Sequence, residues 1–201
     1  MLVYTPVVFK ILRNQSFISS NRKSQQVNSI QRGYNKRHFD YGSSSSNGNN
    51  TNNNNDDNYI TIVVSSTPAE STVKFFIDEI KKYHITDIVH VCEKSYDDHI
   101  FKDMGVVVHD MSFPDGTSAP HDIIKSWLQL CKTSSCVAIH CVAGLGRAPM
   151  MVTILLIELG MSPLDAIEHV RNQIRGSLNT KQINFLIDYK RQNNKNKCII
   201  C

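Results

Sequence analysis

The run Val137-Ala138-Ile139-His140-Cys141-Val142-Ala143-Gly144-Leu145-Gly146-Arg147 constrains this chain more than any other stretch. An apolar β-run ends in a cysteine, a glycine-rich turn follows, an arginine closes it, and 148–159 reads as a helix. A strand–loop–helix unit of this kind aims backbone N–H groups and a helix N-terminus at one spot, which makes an anion pocket. A cysteine at that spot is expected to ionise easily, because the partial positive charge favours thiolate over thiol. Arg147 can return across the loop and take two oxygens of a bound phosphate. The spacing alone is weak, since a Cys and an Arg so separated arise by chance in roughly one chain in four of this composition. The setting gives it weight: a strand before, two glycines within, a helix after. No Gly-Lys-Ser/Thr follows, so this is not a nucleotide-binding loop.

The rest of the chain supplies the sheet that such a unit needs. Strands are expected at 60–64, 87–92, 106–109 and 136–140. Helices are expected from Thr67-Pro68-Ala69-Glu70, which reads as a capping box, to about His84, and over 95–104, 121–132, 148–159, 162–174 and 181–191. Strands alternating with helices give an α/β fold, a mainly parallel central sheet flanked by helices. In such sheets the chemistry lies outside the carboxyl ends of the strands, where Cys92, Cys141 and the loop 110–120 all fall.

Composition bounds the remainder. The net charge of +4 resides in residues 1–58, and the rest of the chain is balanced. No stretch has the character of a nucleic-acid-binding face. Residues 1–58 are expected to lie outside the fold, as a disordered basic arm ending in the Ser/Asn/Gly/Asp tract 43–58. An organelle-targeting leader is the other reading of that arm. Six cysteines without a secretory signal argue for a reducing compartment. His and Cys show no paired spacing suited to zinc, and no cofactor is implied.

Displacing phosphate from an ester requires a nucleophile, charge stabilisation on the equatorial oxygens and a proton for the departing oxygen. Cys141 is the candidate nucleophile, forming a cysteinyl-phosphate. The amides of Val142, Ala143, Gly144, Leu145, Gly146 and Arg147, with the Arg147 side chain, are the candidate phosphate cradle. Asp115, on the Pro114-Asp115-Gly116 turn, is the best-placed acid, on a loop free to close over the pocket. Asp110 is the reserve.

These motifs resemble the phosphatases of regenerating liver, the type IVA protein tyrosine phosphatases. The likeness runs through Val91-Cys92-Glu93 to Asp97, Phe113-Pro114-Asp115-Gly116, His140 to Pro149, and Arg175-Gly176 through Lys181-Gln182. It implies a dual-specificity-phosphatase-like domain over 59–191, with Cys141 as nucleophile, Arg147 as phosphate-binding arginine and Asp115 as general acid. It also implies a reversible Cys92–Cys141 disulfide, substrates that are phosphotyrosine-containing proteins, and a magnesium-transporter regulator as a possible partner. Three departures stand out. Related enzymes commonly carry Ser or Thr where this chain has Ala148, so hydrolysis of the intermediate is expected to be slow. Pro114 replaces a usual aspartate. The strand that the family places before Ile60 falls on the Asn/Asp-rich tract, so the sheet is expected to be one strand shorter.

The final stretch, 192–201, carries Lys195 and Lys197 before Cys198-Ile199-Ile200-Cys201, with Lys190 and Arg191 just upstream. A CaaX-type cysteine behind a basic cluster reads as a prenylation signal at Cys198. The prenyl chain and the basic tail together hold a protein on anionic lipid, here at the cytoplasmic face of the plasma or endosomal membrane. The competing class is a slow-turnover pseudo-phosphatase, a binding module whose pocket grips an acidic loop of a partner.

Overall fold

Short β-branched runs separated by amphipathic helices form one five-stranded mixed sheet with helices on both faces. The computed structural model describes residues 6–14, 17 and 58–192. In chain order the elements are β1 (Val7–Leu12), β2 (Tyr59–Ser66), α1 (Val73–Tyr83), β3 (Asp87–His90), α2 (His99–Asp103), β4 (Val107–Asp110) and α3 (His121–Thr133). They continue with β5 (Cys136–Cys141), α4 (Arg147–Glu158), α5 (Pro163–Gln173) and α6 (Thr180–Asp188). The strand order is β1-β2-β5-β3-β4; β2, β5, β3 and β4 run parallel, and β1 lies antiparallel to β2.

Alternation along the strands sorts side chains between two cores. Ile60, Ile62, Val64, Val137 and Ile139 face the layer of α3 to α6, where Trp127, Met150, Met151 and Leu155 are fully buried. Val63, Ile88 and Ala138 face α1 and α2, against Phe76, Ile80 and Phe101. Every residue of α4 is buried, which explains why its sequence carries no polar stripe. This helix is the central strut of the larger layer, and its N-terminus is anchored directly behind the cysteine loop.

The structure corrects the expectation for the N-terminal segment. Val7–Leu12 completes the sheet as an edge strand, in register from Val7↔Val64 to Leu12↔Tyr59. Phe9 and Ile11 point into the larger core while Lys10 between them is exposed, a period-2 pattern. Arg13 follows. Its Nη1 donates to the carbonyls of Cys131, Lys132 and Ser134 at the end of α3, and its Nη2 to that of Tyr59. Asn14 Nδ2 donates to Leu159 O, and Phe17 is buried in the same core. The sheet is therefore not a strand short. The Asn/Asp-rich tract separates the strand from its partner in sequence, not in space. The rest of the expected leader lies outside the described residues, as does the tail from 193.

Two helix boundaries also differ. α1 starts at Val73, not at a Thr67 cap. Thr67 is instead tied to the site, its N–H donating to Cys141 O at 2.7 Å and its hydroxyl 3.1 Å from that of Ser95. α2 is a short helix, and the Asp98 carboxylate preceding it pairs with both Lys94 and Lys102.

Candidate active site

β5 delivers Cys141 to the carboxyl edge of the sheet, between β2 and β3. The chain then turns through Val142 to Gly146 and enters α4 at Arg147. Gly144 makes that turn possible. Its φ is +72°, and a Cβ there would stand 3.0 Å from the backbone carbon and oxygen of Ser65. Only glycine fits both the left-handed backbone and the approach to β2. Val142 and Leu145 stay outside as exposed apolar side chains, 60% and 45% accessible. Cys141, Ala148 and Arg147 are buried.

Arg147 ties this loop to the one after β4. Its Nη1 donates to Phe113 O at 3.0 Å, and its Nε stands 3.0 Å from Asp115 Oδ1, an ion pair whose angle falls outside hydrogen-bond geometry. The Asp115 carboxylate is otherwise open to solvent. Pro114 begins a tight turn in which the Thr117 hydroxyl donates to Pro114 O at 2.7 Å, with Gly116 at φ +70°. The expected acid and the expected phosphate-binding arginine thus meet. The reserve acid is engaged elsewhere: Asp110 Oδ1 accepts the Ser112 N–H at 3.0 Å and stands 3.6 Å from His90 Nδ1. Hydrogen bonds from Ser112 hold the Asp110 carboxyl below its ordinary range, the wrong direction for a proton donor near neutral pH.

Cys92 follows β3, next to β5, where the Val91 N–H donates to His140 O at 3.0 Å. Cys92 and Cys141 share one buried cluster, both as free thiols. Burial pushes the Cys92 thiol up, against the pull of nearby Arg147 and in the same direction as the neighbouring Cys141.

Sequence reasoning missed the group behind the cysteine. His140 is fully buried, its Nε2 2.7 Å from the Tyr96 hydroxyl and its ring stacked on His90. Burial, with His90 beside it, pushes its pKa down to about 3, so the imidazole is neutral. Tyr96 lies within a stretch that carries the family resemblance, but nothing in the spacing of 96 and 140 signals their meeting. Among the described residues no group of three or more His, Cys, Asp or Glu is placed to hold a metal ion. Cys198 lies outside the described residues.

Similarity to known proteins shows the family. The chain is 40% identical over 144 residues to a Dictyostelium discoideum protein described as probable protein tyrosine phosphatase type IVA A, covering 69% of this chain and 86% of that one. This chain belongs to the type IVA protein tyrosine phosphatase family. The human protein tyrosine phosphatase type IVA 3 is 42% identical over 134 residues, covering 64% of this chain and 78% of its own. Among solved structures, a putative protein tyrosine phosphatase from Leishmania major superposes with a TM-score of 0.60 at 32% identity, over 66% of this chain and 89% of that one. No family model matches the chain. The fold expected from sequence, an α/β sheet of the cysteine-based phosphatase type, is the one observed.

Proposed function

We propose that this type IVA chain hydrolyses phosphotyrosine in proteins through a cysteinyl-phosphate on Cys141. The carrying observation is the Arg147 guanidinium, which holds the Asp115 turn against the loop that Cys141 opens. In the first step the Cys141 thiolate attacks phosphorus. The bond from phosphorus to the ester oxygen breaks, and Asp115 gives its proton to that oxygen. The amides of Val142 to Arg147, the Arg147 side chain and the N-terminus of α4 stabilise the equatorial oxygens. In the second step water attacks phosphorus, the Asp115 carboxylate takes its proton, the sulfur–phosphorus bond breaks and phosphate leaves. Ala148, buried at the start of α4, offers no hydroxyl to the departing thiolate, so this step limits turnover.

Stopped-flow mixing with a chromogenic phosphate ester tests the scheme. A burst of released phenol followed by slow turnover is expected, abolished in Cys141→Ser; with an ester whose leaving group needs a proton, the burst slows at least about 100-fold in Asp115→Ala. Turnover without a burst refutes the two-step scheme.

The same reading places two further properties on the chain. Cys92 and Cys141, on neighbouring strand ends, form a reversible disulfide under oxidation; a peptide map after mild peroxide without the crosslink removes it. The protein sits at the cytoplasmic face of the plasma or endosomal membrane by prenylation of Cys198 and by the basic tail. No described helix is long and apolar enough to cross a membrane. Full membrane association of Cys198→Ser would sink it. Exposed Val142 and Leu145 favour a second reading, in which the rim of the pocket grips a partner such as a magnesium-transporter regulator. In that case Asp115→Ala abolishes turnover and leaves partner binding intact.

A further inference from the structure

The segment 177–182 touches both halves of the pocket. The Leu178 N–H donates to Leu145 O in the phosphate-binding loop at 2.9 Å, and Leu178 itself is buried with φ +65°. A leucine takes that left-handed backbone only where its surroundings hold it. Next come Asn179 and Gln182, which form a reciprocal cap at the start of α6. Asn179 Oδ1 accepts the Gln182 N–H, and Gln182 Oε1 accepts the Asn179 N–H. The cap uses only the oxygens of the two amides. Their nitrogens point elsewhere. Asn179 Nδ2 donates to Gly116 O at 3.2 Å, and Gln182 Nε2 donates to Thr117 O at 3.4 Å. The Gln182 side chain is fully buried, and its Nε2 lies 3.4 Å from where a Cβ on Gly146 would stand.

We infer that Asn179 and Gln182 are positioning residues that clasp the Asp115 turn over the phosphate loop. The inference rests on the proposed role of Asp115. Each amide has two ends with separate duties: the oxygen builds the helix and the nitrogen holds the two residues that follow Asp115. Gly116 and Thr117 form the distal half of that turn, while Arg147 holds its proximal half at Phe113 and Asp115. With the distal half released, the carboxyl is tethered from one side only, and proton delivery to the leaving oxygen loses its alignment.

The two duties can be separated by substitution. Asn179→Ser keeps an N-cap oxygen but is too short to reach Gly116 O, and Asn179→Asp keeps reach and cap oxygen but has no N–H to donate. The measurement is the burst rate with phenyl phosphate, whose leaving group needs a proton, and with 4-nitrophenyl phosphate, whose leaving group departs with little help. For both variants the phenyl phosphate burst is expected to slow about 10-fold, a part of what a general acid supplies. The 4-nitrophenyl phosphate burst is expected to change less than about twofold, with an unchanged melting temperature because the cap survives. A wild-type ratio between the two esters in both variants overturns the clasp. So does an equal loss on both esters with a lowered melting temperature, which marks a purely structural role. Absence of any burst from the wild-type protein overturns the cysteinyl-phosphate reading and the clasp with it.

Discussion

Replacing Arg13 with alanine removes a guanidinium that, among the described residues, donates to four backbone carbonyls on two elements. Three of them, on Cys131, Lys132 and Ser134, belong to the C-terminal turn of α3 and its cap, where the helix dipole favours a cation. The bonds to Cys131 O and Ser134 O are buried, and those to Lys132 O and Tyr59 O are partly exposed, so water can replace the latter two. At about 1.5 kcal/mol for each buried, charge-assisted bond, the substitution is expected to cost about 3 kcal/mol. With a urea slope of about 2 kcal/mol/M, that is a midpoint lowered by about 1.5 M. Arg13→Lys is expected to recover less than half, because one ammonium cannot reach Tyr59 and the end of α3 together. The assay is equilibrium urea unfolding of the full chain, followed by tryptophan fluorescence from Trp127, the only tryptophan, which is fully buried in the core these bonds brace. An Arg13→Ala midpoint within about 0.2 M of wild type, at equal slope, refutes the placement of this segment in the fold.

Four other outcomes are expected. Gly144→Ala has a backbone clash at 3.0 Å from Ser65 and a positive φ, so the burst rate falls at least about 100-fold. Gly105→Ala, with φ +77° and no atom within 4 Å of the added carbon, loses only about 1 kcal/mol of stability and keeps its burst. Ala148→Ser is expected to raise steady-state turnover about 10-fold without changing the burst rate, and equal steady-state rates refute the leaving-group account. The neutral His140 takes up no proton in the native state until about pH 3, whereas the unfolded chain does so below about 6.5. Stability present above that value is therefore lost as pH falls, by about 2 kcal/mol at pH 5 from this residue. His169, lowered in the same direction by burial, adds to it, while Asp87, lowered below its ordinary carboxylate value, matters only at more acid pH. Equal urea midpoints at pH 7.5 and pH 5 would contradict this.

Local pattern made the candidate catalytic unit legible. Cys141, the two glycines and Arg147 are consecutive on one strand–loop–helix, and backbone geometry dictates their convergence. The meeting of Arg147 with Asp115 followed from one rule, that parallel strands present their carboxyl ends together. Features built from long-range pairs were not legible. Val7–Leu12 carries a strand pattern six residues long, too short to name a partner beyond the Asn/Asp-rich tract. The cap Asn179-x-x-Gln182 has a readable sequence form, but its second set of hydrogen bonds depends on a loop more than sixty positions away. Thr67 misled for a related reason. It has the composition of a helix cap, and tertiary bonding to Cys141 O claimed it first.

The join between β1 and β2 carries a consequence for how this chain tolerates change. Arg13 N–H donates to Asn58 O at 2.7 Å, so the two ends of the intervening stretch are fastened side by side. They are fastened at the amino end of β2, the opposite end of the sheet from Cys141. The entropy of closing such a loop grows only with the logarithm of its length, about 0.6 kcal/mol for each doubling. Residues can be gained or lost between these two ends at little thermodynamic cost, because the ends themselves are fastened away from the chemistry. The Asn/Ser tract occupies a connection whose length can change while the phosphate loop stays as it is.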